Sequence, residues 1–192
     1  MARQEEQEEG YLTGQILIAM PSMSDNRFRQ SVVYICAHNE DGAMGLVVNK
    51  RIDSLSFDEL LQQLGIENPK PGQAIDVHFG GPVESGRGFV LHSAEYEQES
   101  TLQVDGRIAM TATLDILRDI ATGEGPRQHL FALGYAGWGP GQLDSELQAN
   151  GWLTAEANEG LIFSADLGTK WDEAIKTLGI DPHFLVSDAG HA

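Results

Sequence analysis

The chain has 192 residues, 41% of them hydrophobic, which suits one folded domain with a sizeable core. Its 12 basic residues face 29 acidic ones for a net charge of −17, the wrong sign for a protein that must neutralise nucleic-acid phosphates. No apolar run reaches the roughly 20 residues that span a bilayer, and one cysteine, Cys36, excludes an internal disulfide, so a cytoplasmic protein with neither nucleic acid nor membrane as partner is expected.

Residues 1–10 hold Glu5, Glu6, Glu8 and Glu9 without apolar periodicity and read as a disordered acidic tail before a single domain over residues 11–192. A first strand is predicted over residues 14–20 (GQILIAM). The β-branched runs 31–38 and 43–50 flank the sequence NEDG, and an Asp-Gly step at Asp41-Gly42 predicts a hairpin turn. Ser56 and Glu59 are spaced as a capping box, opening a helix that Gly65 closes. Three more helices, over 113–123, 141–151 and 169–179, also end on glycine. Strands are predicted over 74–79, 88–93, 102–110 and 129–135, with a last hairpin over 152–165 turning at Asn158 to Gly160. Strands and helices do not alternate strictly. The expected class is therefore α+β, a mixed or mainly antiparallel sheet flanked by about four helices.

Two glycine-rich stretches stand out. Residues 134–147 (GYAGWGPGQLDSEL) read as a loop from strand to helix, whose free amides at the Gln142 helix start suit an anion. The same glycines also suit a sharp turn that lets Trp138 fold back onto the core. The lysine and hydroxyl of a phosphate loop are missing, as is the G-x-G-x-x-G fingerprint. Residues 80–88 (GGPVESGRG) enclose Arg87, a side chain able to grip a carboxylate or phosphate with two parallel hydrogen bonds.

Residues 27–51 hold Arg27, Arg29, Lys50 and Arg51 against Glu40 and Asp41, a local charge of +2 where an anion site is first sought. Asp25, Arg27, Arg29, Ser31, His38 and Asn49 form a polar group around the first hairpin. Cys36 and His38, two apart on a predicted strand, face the same way, the spacing of a thiolate beside an imidazole. None of the six histidines has zinc-ligand spacing, so neither a metal nor a cofactor is expected, and the G-x-S-x-G elbow is absent. If a pocket exists, its walls are this hairpin and the two glycine stretches. Its candidate contacts are then Asp25, Arg27, Arg29, Ser31, His38, Asn49, Gly80, Gly81, Arg87, His92, Tyr135, Gly137 and Gln142.

The combination is more specific than any single stretch. Met20-Pro21, Asp25, Phe28, Ser31-Val32, His38-Asn39, Gly42-Ala43, Gly45, Asn49, Gly80-Gly81-Pro82-Val83, Arg87-Gly88, Leu91-His92 and Gly134-Tyr135 through Leu143 follow in this order. In that order and spacing the chain resembles the YqgE/AlgH family of bacterial proteins over nearly its entire length. The resemblance implies a single cytoplasmic domain whose mixed sheet is partly rolled and flanked by helices. It brings no reaction with it, although one member is called a candidate transcriptional regulator for its effect on exopolysaccharide genes. Three readings follow. A non-catalytic module binding a small ligand or a protein needs only the recognition groups above. An enzyme would require His38, Arg87 and Asp25 to converge on one cavity. A DNA-binding regulator would require a basic surface stripe and a reading helix, for which the sequence offers no candidate.

Overall fold

Along β5 (Val83–Ser93) the side chains of Phe89 and Leu91 enter one core cluster while that of Val90 enters another, the period of two that places a strand between two packed layers. The computed structural model describes residues 11–187, so the acidic tail expected over residues 1–10 lies outside the described residues. The other strands are β1 (Gln15–Ala19), β2 (Val32–Asn39), β3 (Gly42–Val47), β4 (Val77–Phe79), β6 (Leu102–Gln103), β7 (Ile108–Thr111), β8 (His129–Trp138) and β9 (Trp152–Glu156). They form one sheet in the order β6-β7-β5-β8-β3-β2-β1-β9, with β4 added beside β8. The β4–β8 pair is parallel and the remaining strand pairs are antiparallel. The mixed, mainly antiparallel sheet of an α+β domain is thus what the chain builds.

Ile16, Tyr34, Leu46, Leu91, Ile108, Leu130 and Ala155 come from seven different strands and share one buried cluster. One face of so wide a sheet can share a core only by curling, and the result is a half barrel. Six α-helices pack around it among the described residues: α1 (Phe57–Gln63), α2 (Leu114–Thr122), α3 (Gln142–Gln148), α4 (Glu159–Phe163), α5 (Lys170–Thr177) and α6 (Pro182–Ser187). Trp171 of α5 fills the inner cluster and donates its Nε1–H to the Ala19 carbonyl at 2.8 Å. On the outer face, α1 and α2 cover Val77, Val90 and Phe131, while Leu143 of α3 joins Val33, Val47, Trp138 and Trp152.

The local signals of α1 operate as its sequence implies. The Glu59 amide donates to Ser56 Oγ and the Ser56 amide to Glu59 Oε2, each at 3.1 Å. Elsewhere the chain departs from expectation. The hairpin expected over residues 152–165 is only half a hairpin: β9 pairs with β1, and then Asn158 Oδ1 accepts the Leu161 amide at 2.7 Å and starts α4. Leu161 and Ile162 are consecutive yet both enter the inner cluster, which a strand with alternating faces cannot arrange and a helix can. The strand expected over 102–110 is split by Asp105, whose Oδ1 accepts the amides of Arg107 and Ile108 at 2.7 and 2.8 Å, so β6 folds back on β7. The first hairpin does turn within residues 39–42, Asn39 pairing directly with Gly42 around Glu40 and Asp41, so Gly42 stands at the end of the ladder. Gly42 is needed for another reason: a Cβ there would lie 2.2 Å from the Trp138 carbonyl oxygen.

Gly80, Gly81 and Gly134 answer to backbone crowding. Val77 of β4 and Val90 of β5 both pair with Phe131, on opposite edges of β8, so residues 80–82 must carry the chain across that strand. At the crossing a Cβ on Gly80 would come within 2.3 Å of the Gly134 oxygen, one on Gly81 within 2.0 Å of the Tyr135 carbonyl carbon, and one on Gly134 within 2.3 Å of the Gly81 oxygen. Only backbone without side chains lets two strands pass so closely.

Lys170 is the one fully buried cation of the core among the described residues. At the start of α5, its Nζ donates to the carbonyls of Val48 at 2.8 Å and Ile162 at 2.6 Å, tying α4 to the end of β3. Burial pushes its pKa from 10.5 to about 8, with Glu173 pulling weakly the other way. Because the folded value lies below the unfolded one, the unfolded chain holds more protons between those two pH values, and stability rises with pH across that window. The parent should therefore gain on the order of 3 kcal/mol relative to a Lys170→Met variant between pH 8 and 10.5, read from urea unfolding at several pH values. The Cys36 thiol, pushed up to about 12 by burial, acts in the opposite direction above pH 9 but cancels between the two proteins. Parallel stability curves for parent and variant would contradict this account.

Candidate functional site

The tip of the β2–β3 hairpin, the start of β5 and the end of β8 border a single cleft of about 550 Å³. Its floor is Met44, Phe89 and Tyr135, the two rings meeting edge to face with centroids 5.7 Å apart. Asn39 and Asp41 stand on one side of the rim, Glu84 and Arg87 on the other. Arg87 holds its guanidinium 5.1 Å above the Phe89 ring and 3.5 Å from Glu84 Oε2. Glu84 and Arg87 ride on a bulge, since β5 pairs Val83 with Tyr135 and then Gly88 with Leu133. The stretch expected as a loop from residue 134 onward is strand as far as Trp138, because Gly45, Met44 and Ala43 pair with Ala136, Gly137 and Trp138. A larger hollow of about 630 Å³ lies between Gln30 and the turn from α5 to α6, with Trp171, Ile180 and Pro182 among its walls beside Asp172, Lys176 and Asp181.

Of the thirteen candidate contacts, Arg87, Tyr135 and Gly137 line the cleft. Gly80 and Gly81 belong to the strand crossing beside it. Asp25 caps the short 3-10 turn Asn26–Phe28 and pairs with Arg27 at 2.7 Å, and the Arg27 hydrogen bonds hold its carboxyl below the usual carboxylate range. Asn49 braces the backbone around Gln30, accepting the Val32 amide at 2.9 Å and donating to the Gln30 carbonyl at 2.8 Å. Ser31 is buried nearby with its hydroxyl unpartnered by protein, and Arg29 is exposed. This polar group is a brace on the far end of the hairpin, separate from the cleft.

His38 is buried against Tyr11, its Nδ1 accepting the Leu12 amide at 3.0 Å and its Nε2 facing Asp144 at 4.0 Å. Accepting at Nδ1 leaves the ring proton on Nε2. Cys36 does not share its face. A bulge between Ile35 and Ala37 breaks the alternation, so Cys36 sits in the inner cluster with Tyr34 while His38 lies beside Ala43 on the other side. His92 is also buried, hydrogen-bonded through Nδ1 to the Ser93 carbonyl and through Nε2 to Thr111 at 2.8 Å. With Nδ1 donating, Nε2 accepts from Thr111, which accepts from Thr101, which accepts from the Gln98 amide. Burial lowers the pKa of His92, and the chain of bonds ends in backbone on both sides. It fastens the irregular segment 94–101 to the sheet. Gln142 closes its own turn, Oε1 accepting the Gly139 amide at 3.0 Å.

Glu146 was not legible in the sequence. Its Oε1 accepts the indole N–H of Trp138 at 3.3 Å and of Trp152 at 3.1 Å, and Gln142 donates to Oε2. One carboxylate thereby orients both rings, of which Trp138 borders the cleft. No spacing rule pairs residues 138, 146 and 152, since the contact arises only when α3 folds back over β8 and β9. Among the described residues no three His, Cys, Asp or Glu side chains gather as metal ligands, and no helix is long and apolar enough to cross a membrane.

The comparisons with known proteins agree on one family. A profile described as AlgH-like matches residues 16–183. A UPF0301 protein of Rhodospirillum rubrum is 53% identical over 184 residues, covering 96% of each chain. Another UPF0301 protein, from Paracoccus denitrificans, is 56% identical over 184 residues, 94% of this chain and 97% of that one. The solution structure of the AlgH protein from Pseudomonas aeruginosa superposes with a TM-score of 0.79 at 43% identity, covering 95% of this chain and 97% of that chain. With identity at this level over nearly the full length, and the curled sheet in common, the chain belongs to the AlgH-like family.

Proposed function

We propose that the protein is a non-catalytic binding module and that the cleft between the β2–β3 turn, Arg87 and Tyr135 is where it recognises a small ligand. The observation that supports this reading is convergence: three stretches far apart in sequence meet on one concavity that offers aromatic floor and polar rim. The residues an enzyme would combine are spread instead. Arg87 lines the cleft, His38 is buried against Tyr11, and Asp25 is engaged by Arg27. A regulatory role is then indirect, exerted from the cytoplasm through ligand occupancy. Direct reading of DNA is disfavoured because the net charge is −17 and Arg27, Arg51, Arg118 and Arg127 each pair with a carboxylate at 2.7–3.5 Å.

The test is an amide NMR titration of the full chain with benzoate, indole and benzamidine, fragments of three charges. At least one should shift a contiguous set of resonances at residues 39–44, 83–89 and 135–138. Shifts centred on another face, or none from any of the three, would remove the cleft as the recognition site.

A further inference from the structure

Glu84 holds φ 46, a left-handed conformation that glutamate rarely adopts. Burial does not impose it, because the residue is exposed. The backbone accepts this strain on a bulge whose side chains face the cleft. Its effect is to bring Glu84 beside Arg87, yet the contact is a single one at 3.5 Å, the outer edge of a hydrogen bond. Arg27, Arg51 and Arg118 hold their carboxylates at 2.7–2.8 Å, while Arg127 meets Glu95 as loosely, at 3.5 Å, but does not line the cleft. The guanidinium of Arg87, by contrast, is fixed by the Phe89 ring beneath it and only loosely neutralised.

Resting on the cleft reading, we infer that Arg87 anchors the carboxylate of a flat ligand, an aryl or arylalkyl monocarboxylate, and that Glu84 occupies this anchor as an internal stand-in until the ligand displaces it. The planar fork of arginine matches a carboxylate through two parallel bonds, a better fit than the single long contact it replaces. The ligand's ring lies on Met44 and Tyr135, which remain available while Arg87 covers Phe89. A cleft of about 550 Å³ has room for one ring and a short chain. A cationic group would meet the guanidinium but also Asp41 across the rim, so the amine is the direct competitor in the test below. The net charge of −17 opposes any anion, but ionic screening within about 8 Å at physiological salt leaves the local cation in control of the contact.

Titration with phenylpropionate, phenylpropionamide and phenylpropylamine, equal in shape and different in charge, tests the inference by NMR at neutral pH. The acid should bind at least about tenfold more tightly than the amide. Glu84→Gln, which removes the competing carboxylate, should tighten the acid roughly fivefold, and Arg87→Gln should erase the preference for acid over amide. The inference fails if the amide or amine binds as well as the acid, if the preference survives Arg87→Gln, or if Glu84→Gln weakens the acid. Binding of the amide or amine alone at the cleft would leave the recognition site standing and refute the carboxylate. Silence from all three at cleft resonances would take both down.

Discussion

Replacing Gly81 by alanine should prevent the chain from reaching its native sheet. The added Cβ would stand 2.0 Å from the Tyr135 carbonyl carbon, 2.2 Å from its oxygen and 2.3 Å from the Ala136 amide nitrogen. These are backbone atoms of a strand paired with both β3 and β5, so no rotamer change relieves the overlap. Either β8 separates from a neighbour or the crossing opens, and the loss should reach about 4 kcal/mol or more, in the range where single substitutions unfold a marginal domain. Gly86→Ala is the matched control, since a Cβ there meets nothing within 4 Å, and it should stay within about 0.5 kcal/mol of the parent. The two variants are compared by amide NMR dispersion and thermal unfolding. A well-dispersed spectrum and a parent-like melting temperature for Gly81→Ala would mean that the strands do not cross as described.

Trp138→Ala should be nearly as costly. The ring is 7% exposed, packs edge to face on Trp152 with centroids 6.1 Å apart, and shares its cluster with Val33, Val47 and Leu143. Emptying a large aromatic site costs roughly 3–5 kcal/mol, and here the Glu146 carboxylate also loses one of its two indole donors. For a domain of this size the melting temperature should fall by roughly 6–20 °C. A shift within about 2 °C would show that Trp138 serves the cleft it borders and contributes little to the core.

These two substitutions probe the glycine-rich stretches from opposite sides. At Gly80, Gly81 and Gly134 the glycines are there for the backbone, because one strand passes over another, and at Trp138 the aromatic ring is there for the core. The side chains that flank them, Arg87 and Tyr135, are the ones that line the cleft. A loop shaped for a ligand and a loop shaped for a crossing have the same composition. They differ in what lies within 3 Å of each Cβ, a tertiary quantity.

What the sequence determined by itself was whatever depends on near neighbours. The capping box of Ser56 and Glu59, the strand-forming runs of β1, β2 and β3, and the closing glycines at 65, 123 and 179 follow from propensities and hydrogen bonds set within a few residues. So did the α+β class, because antiparallel strands need only short turns between them. Where two local signals competed, packing chose. Asn158 could have turned a hairpin or capped a helix, and burial of adjacent Leu161 and Ile162 in the inner cluster selected the helix. Parity failed at Cys36, since a one-residue bulge sends His38 to the opposite face and separates a pair that spacing had joined. The cleft, the loose grip of Glu84 on Arg87, the twin indoles on Glu146 and the buried amine of Lys170 were decided only by the tertiary structure. Glu84 and Arg87 are three apart and meet through the bulge in β5; the others join different elements, and their meeting depends on how far the sheet curls, which is set by the fit of seven strands around one core and by no single segment within it.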